Sequence, residues 1–302
     1  MKKRTIIAIV IALLLIFAGV VLLVMGLSFA GDGTQETATL QQQEVLLEEG
    51  FTSIQINTGD CDVNFVPYEG VANAHVVMLE GERVSHSICV EDGTLKIQMQ
   101  DNRKRTDHIR IFPVLGSAET MNITVYLPNT EYDSVYVTTD TGDIRTPAPL
   151  SAGEIILRSN TGDIYCDSAA GEMLDCMTST GDIQVRSCTV PAVKVQSETG
   201  DISLYDVQGT EFYLQNDTGE TVVKNVICQM VICNSSTGDV ELQFVTAEDY
   251  VQVFTDTGDV EIGNAQTASG NIETNTGDIV IPASWKNGNC RIETDTGNIH
   301  FQ

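Results

Sequence analysis

The tripeptide Thr-Gly-Asp, or a close variant, returns along this chain at a nearly constant interval, and no other feature limits the fold as much. Its glycines stand at 59, 142, 162, 181, 200, 219, 238, 258, 277 and 297, and from Gly142 onward the spacing is always 19 or 20 residues. A repeat this short cannot bury an apolar face alone. Copies must stack and share one core.

Aligning the copies on glycine shows what each contributes. Five residues before it stand Val137, Leu157, Cys176, Val195, Leu214, Cys233, Val253, Ile272 and Ile292. Two after it stand Ile144, Ile164, Ile183, Ile202, Thr221, Val240, Val260, Ile279 and Ile299, and the fourth after it is again mostly apolar. Intervening positions are polar or mixed. This is the period-two alternation of half-buried strands, and the β-branched content favours strand over helix. Each coil therefore reads as two short strands joined at Gly-Asp, with a third inward position seven after glycine (Cys188, Val207, Val226, Val245). The expected fold class is all-β, a single-stack parallel β-solenoid of 19–20-residue coils over residues 135–302. Small polar residues three before glycine, such as Thr139, Ser159, Ser197 and Asn216, are placed to hydrogen-bond from coil to coil. The glycine itself is expected at positive φ.

The N-terminus is of another kind. Lys2, Lys3 and Arg4 precede an uncharged apolar run over residues 5–27, long enough to cross a bilayer as one helix. The basic flank predicts that residues 1–4 are cytoplasmic and that the remainder is extracytoplasmic. A cleaved signal peptide is the competing reading, since Ser28-Phe29-Ala30 fits a cleavage site, but the apolar run exceeds a usual signal core. Beyond the anchor, 13 Lys and Arg face 42 Asp and Glu, a net charge of −29. Such a surface repels nucleic acid and attracts cations.

Residues 28–44 read as a polar, Gln-rich tether, and residues 45–134 as an irregular β cap that closes the first end of the stack. Within the cap, the segment Phe51 to Asp60 looks like an early coil, and Asn122 to Pro128 reads as a strand after the basic loop Arg103-Lys104-Arg105. An early strand with Thr-Gly-Asp, a β meander ending in Leu-Pro, and tandem Ser/Thr-x-Thr-Gly-Asp-Ile coils resemble a bacterial candidate-adhesin family of β-strand-repeat proteins, built on a domain of unknown function. The resemblance covers roughly 45–302. It implies a cell-envelope protein, often membrane-anchored, and supplies no catalytic residues.

The residue after each glycine forms a column of acids: Asp143, Asp163, Asp182, Asp201, Glu220, Asp239, Asp259 and Asp278. Aspartate suits turns because its carboxylate accepts local backbone N–H groups. The sharper expectation is a weak Ca²⁺ ladder on the seven aspartates, because stacked carboxylates repel and Ca²⁺ takes carboxylate oxygens in flexible geometry. No other cofactor is implied. The four histidines (His75, His86, His108, His300) are scattered, and a constant coil length leaves nothing to wall a catalytic cleft. The eight cysteines read chiefly as buried free thiols, with Cys61 and Cys89 the one pair left open for a disulfide.

The expected protein is therefore no enzyme but a membrane-anchored adhesion or interaction module for an envelope, glycan or protein ligand. Alternatives are an accessory or sensory component of a cell-envelope stress system and, more remotely, a glycan-acting β-helix enzyme. The strand edge of the last coil, ending near His300, suggests end-to-end self-association.

Overall fold

The computed structural model describes residues 40–68, 74–80, 84–101, 121–147 and 149–302. The expected cytoplasmic stretch, the membrane helix at 5–27, most of the tether and the loop Arg103-Lys104-Arg105 lie outside the described residues. Among the described residues no helix is long and apolar enough to cross a membrane.

The first coil consists of β2 (Ser53–Asn57) and β3 (Asp62–Pro67), and follows the edge strand β1 (Gln41–Leu46). The chain then leaves the stack to form β4 (His75–Glu80), β5 (Val84–Glu91), β6 (Thr94–Asp101) and β7 (Asn122–Leu127). It rejoins with β8 (Glu131–Thr139) and β9 (Ile144–Thr146). The excursion closes the end of the stack. β6 pairs parallel with β2 and β7 parallel with β3, while β8 and β9 lie against the opposite edges of those two strands. β5 then runs antiparallel to β6, and β4 antiparallel to both β7 and β1. Both walls thus begin in a mixed sheet and continue as parallel coils. The strand β1 starts at Gln41, inside the expected tether: it is an exposed edge held by backbone pairing to β4, which needs no apolar alternation.

From β8 onward the coils stack in parallel register, shifted once by a bulge between Ala247 and Tyr250. Val137 lies beside Leu157, then Cys176, Val195, Leu214, Cys233, Val253 and Ile272. The second wall aligns Ile144, Ile164, Ile183, Ile202, Thr221, Val240, Val260 and Ile279. Nearly all these side chains are fully buried, as are Cys188, Val207, Val226 and Val245 on the third side. Full burial of one Val, Leu or Ile is worth about 1.5–3 kcal/mol, so the columns form a continuous core that no single coil could supply.

Two expectations need correction. Ile56 pairs with Val137, and Val63 with Ile144, so Cys61 rather than Gly59 occupies the level of the repeat glycine. The first Thr-Gly-Asp is shifted by two residues, which puts Thr58 in the inner polar column and Asp62 in the acid column. The repeat glycine itself has positive φ, 139° to 155°, from Gly181 to Gly297, whereas Gly142 and Gly162 lie outside that region. What all nine share is proximity. A Cβ on any of them would sit 1.9–2.4 Å from a carbonyl oxygen of the preceding coil.

Candidate functional site

The acid column is a hydrogen-bonded ladder. Asp163 N–H donates to Asp143 Oδ1, Asp182 N–H to Asp163 Oδ1, Asp201 N–H to Asp182 Oδ1 and Glu220 N–H to Asp201 Oδ1, at 2.8–2.9 Å. Below it, Asp143 N–H donates to Asp62 Oδ1. Above it, Asp259, Asp278 and Asn298 continue the chain from Asp239 at 2.7 Å. One rung is missing. Glu220, one methylene longer than aspartate, receives no such bond from Asp239. The structure thus brings all seven predicted aspartates into one column and gives the Oδ1 of each a backbone partner. Asp143 Oδ2 also accepts from Arg145, and Asp163 Oδ2 from the Tyr165 hydroxyl. Among the described residues no three His, Cys, Asp or Glu side chains gather to hold a metal ion.

The inner polar column runs parallel to this ladder. Ser159, Thr178, Ser197, Asn216, Thr255, Thr274 and Thr294 each donate to the carbonyl of the repeat glycine one coil below, at 3.0–3.3 Å. Ser235 stands in the same column with its buried hydroxyl unpartnered. The coils are therefore tied by the backbone and by two side-chain ladders.

At its first member, Thr58, the column meets the cap. Thr58 Oγ1 lies 2.8 Å from His86 Nε2, and His86 Nδ1 lies 2.7 Å from Glu80 Oε1. One imidazole thus ties the end of β2 to β4 and β5. The order hydroxyl–imidazole–carboxylate is that of a nucleophile relay, but Thr58 is 3% exposed and the His86 side chain 0%, so a substrate cannot reach it. The arrangement is a structural closure. Spacing in sequence could not find it, because Glu80 and His86 come from the irregular cap.

All eight cysteines are free thiols, and Cys61 and Cys89 are not joined: Cys61 is buried in the core while Cys89 faces solvent from β5. Burial raises the Cys61 pKa to about 11 and those of Cys228 and Cys233 to about 12. Contact with Cys176 is the main cause that pushes Cys166 still higher.

The structure also holds an open cleft of about 700 Å³ near the last coils, lined by Gln243, Glu261, Asn264, Gln266, Pro282 and Ser284 among others. Constant coil length argued against any such wall. The length is kept, but after Ile281 the chain turns at Pro282 into a 3-10 helix, Ala283–Asn287, instead of another strand. Trp285 anchors that helix, 5% exposed, with Nε1–H donating to Ala265 O at 3.2 Å. Pro282 and the chain's single tryptophan were the available signals.

Parallel coils in register, two side-chain ladders and a mixed β cap define a repeat β-solenoid of the toastrack kind. The sequence matches the Toastrack DUF4097 family over residues 51–212 and 192–302, and the chain belongs to that family. No curated protein matches it. Among solved structures, a candidate adhesin from Parabacteroides merdae aligns at 12% identity and TM-score 0.53, over 87% of this chain and 97% of that one. Another candidate adhesin, from Parabacteroides distasonis, aligns at 13% identity and TM-score 0.51, over 89% and 98%. At these identities the likeness is one of fold.

Proposed function

We propose that this protein is a membrane-anchored, non-catalytic adhesion module of the bacterial cell envelope, with the solenoid outside the cell. The observation that carries the reading is the parallel coil-to-coil pairing that continues from β2 to the last strand at Ile299–Phe301, with one bulge between Ala247 and Tyr250. Such a stack builds a long, stiff surface and offers it without a moving part, which suits contact with an extended partner. Support comes also from the candidate adhesins that share the fold, from the length of the apolar run over residues 5–27, which favours an uncleaved anchor, and from Lys2 to Arg4 before it, which favour a cytoplasmic N-terminus. The acid ladder makes one lateral edge strongly negative, which favours neutral or cationic partners and weak Ca²⁺ association.

The test uses the fluorescently labelled full-length chain in detergent, incubated with purified cell-wall, membrane and host-surface fractions, with and without Ca²⁺. Saturable retention on a wall or host-surface fraction is expected, and retention on none of them refutes adhesion. Protease shaving of intact cells that leaves the solenoid uncut would refute its external placement.

A further inference from the structure

We infer that the cleft beside the 3-10 helix Ala283–Asn287 is a binding site for a neutral oligosaccharide; this rests on the adhesion reading above and names its ligand class. Three departures from the repeat fall in this part of the stack, two of them in the cleft lining and one beside it. The first is Phe244. Six residues after the repeat glycine every coil from Gly162 to Gly258 turns through a left-handed residue, and the others are Ser168, Ser187, Asp206, Asn225 and Asn264. Asparagine and aspartate tolerate that conformation, whereas a bulky aromatic there is an outlier. Phe244 holds it at φ 56° with 58% of its surface exposed, one coil from the cleft residue Asn264 and next to the cleft residue Gln243. Ile227, 51% exposed, adds a second apolar surface one coil below. A strained, exposed ring of this kind is retained where it touches something.

The second departure is Gly263. Its counterparts in earlier coils are Asp167, Arg186, Tyr205, Lys224 and Gln243. A Cβ at 263 would meet the Gln243 amide at 2.4 Å, so the missing side chain opens the cleft floor and lets that amide lie across it. The third is the helix itself. The third-side ladder that joins Ile227 to Thr246 and Thr246 to Gln266 stops at Gln266, because the next coil is helical there. Gln266 and Asn264 are left facing open space.

The lining chemistry selects the ligand. Gln243, Asn264, Gln266 and Ser284 offer donors and acceptors together, and Glu261 adds a carboxylate, which matches hydroxyl groups that also donate and accept. No lysine or arginine is among the described lining residues, and the chain carries a net charge of −26, so uronic, sialic or phosphorylated saccharides are disfavoured. The exposed Phe244 ring, outside the lining itself but at the coil position of the lining residue Asn264 one coil earlier, is the nearest apolar surface for the contact that a pyranose C–H face takes. The volume lies within the range of small-ligand clefts, about 300–1,000 Å³.

The experiment is titration calorimetry of the full-length chain with cellotetraose, maltotetraose, mannotetraose and chitotetraose, with tetragalacturonate as the anionic control and a polar tetrapeptide as the peptide control. At least one neutral tetrasaccharide is expected to bind saturably at millimolar affinity or tighter. Phe244→Asn and Gln266→Ala are each expected to weaken it about five- to tenfold. Phe244→Asn should also raise the melting temperature by about 2 °C, because it relieves the left-handed strain, which separates lost binding from lost folding. Binding of no neutral sugar, binding of only the anionic or peptide control, or sugar binding untouched by both substitutions would each overturn the proposal. Wall or host-surface retention that persists in both variants would leave adhesion standing and remove this site, whereas no retention by the unaltered chain would remove both.

Discussion

Replacing a single repeat glycine tests whether the close approach of neighbouring coils, rather than glycine's conformational freedom, explains the motif. At Gly200 an added Cβ would lie 2.0 Å from Gly181 O, so the two coils must part by more than about 1 Å to reach ordinary contact. Four hydrogen bonds span that contact: Ser197 Oγ to Gly181 O, Asp201 N–H to Asp182 Oδ1, Gly181 N–H to Thr199 O and Ile183 N–H to Asp201 O. At about 1 kcal/mol each, with partial relaxation, and about 1 kcal/mol for the positive φ, Gly200→Ala is expected to destabilise by about 3–5 kcal/mol. Urea unfolding followed by far-ultraviolet circular dichroism measures this, with Gly50→Ala as control because nothing lies within 4 Å of its added Cβ. Two companions separate the causes. Asparagine tolerates positive φ, so if conformation alone mattered Gly200→Asn would recover much of the loss; the close approach predicts that it does not. Gly142 lies outside the positive-φ region, yet its Cβ would stand 1.9 Å from Cys61 O, so Gly142→Ala should be as damaging. A Gly142→Ala variant within about 1 kcal/mol of the unaltered protein would refute the reasoning.

Other expectations follow from the ladders and the cap. Glu220→Asp should restore the missing rung to Asp239 N–H and stabilise by about 1 kcal/mol, read as a rise of about 2–4 °C in melting temperature; no rise would mean that the ladder contributes nothing. His86→Ala leaves Glu80, 3% exposed, without its partner and should cost about 3 kcal/mol, whereas a variant as stable as the parent would show that the pair does not hold the cap. Because folding raises the thiol pKa values of Cys61, Cys228 and Cys233, their contribution to stability is complete below about pH 9 and declines as pH rises toward 11–12, so the urea midpoint should fall over that window. A flat midpoint from pH 8.5 to 11 contradicts this. Five of the seven ladder aspartates keep Oδ2 free of the Arg145 and Tyr165 contacts, so millimolar Ca²⁺ should raise the melting temperature by only about 1–2 °C over chelator, and an unchanged value removes the cation ladder.

How much of this was legible in the chain depends on which physical signal each part leaves. Inward columns such as Val137 to Ile272 are set by alternation and could be read residue by residue, because burial acts on side-chain type. The polar column was equally legible as small hydrogen-bonding residues at one register position. Its partner, the carbonyl of the glycine one coil below, was not, since a carbonyl leaves no mark in sequence. The cap was opaque for a related reason. Its pairings mix parallel and antiparallel strands with no period, so neither the Thr58–His86–Glu80 closure nor the two-residue shift of the first Thr-Gly-Asp could be inferred from spacing.

The cleft shows where counting residues misleads. The coil from Gly277 to Gly297 has 20 residues, as does the coil from Gly238 to Gly258, yet between its two strands the first places a short 3-10 helix where the other runs on as one strand. Length is conserved because both ends of each coil must meet the same neighbouring glycine carbonyl and the same aspartate rung. Between those anchor points the path is free, so long as one side chain fills the core; Trp285 does so where Val245 and Ala265 do in the coils below. A constant period therefore fixes the two ladder-bearing sides and leaves the third side open to variation: the helix departs from the repeat on that side, and Gly263 and Phe244 depart where their coils leave the second wall to enter it.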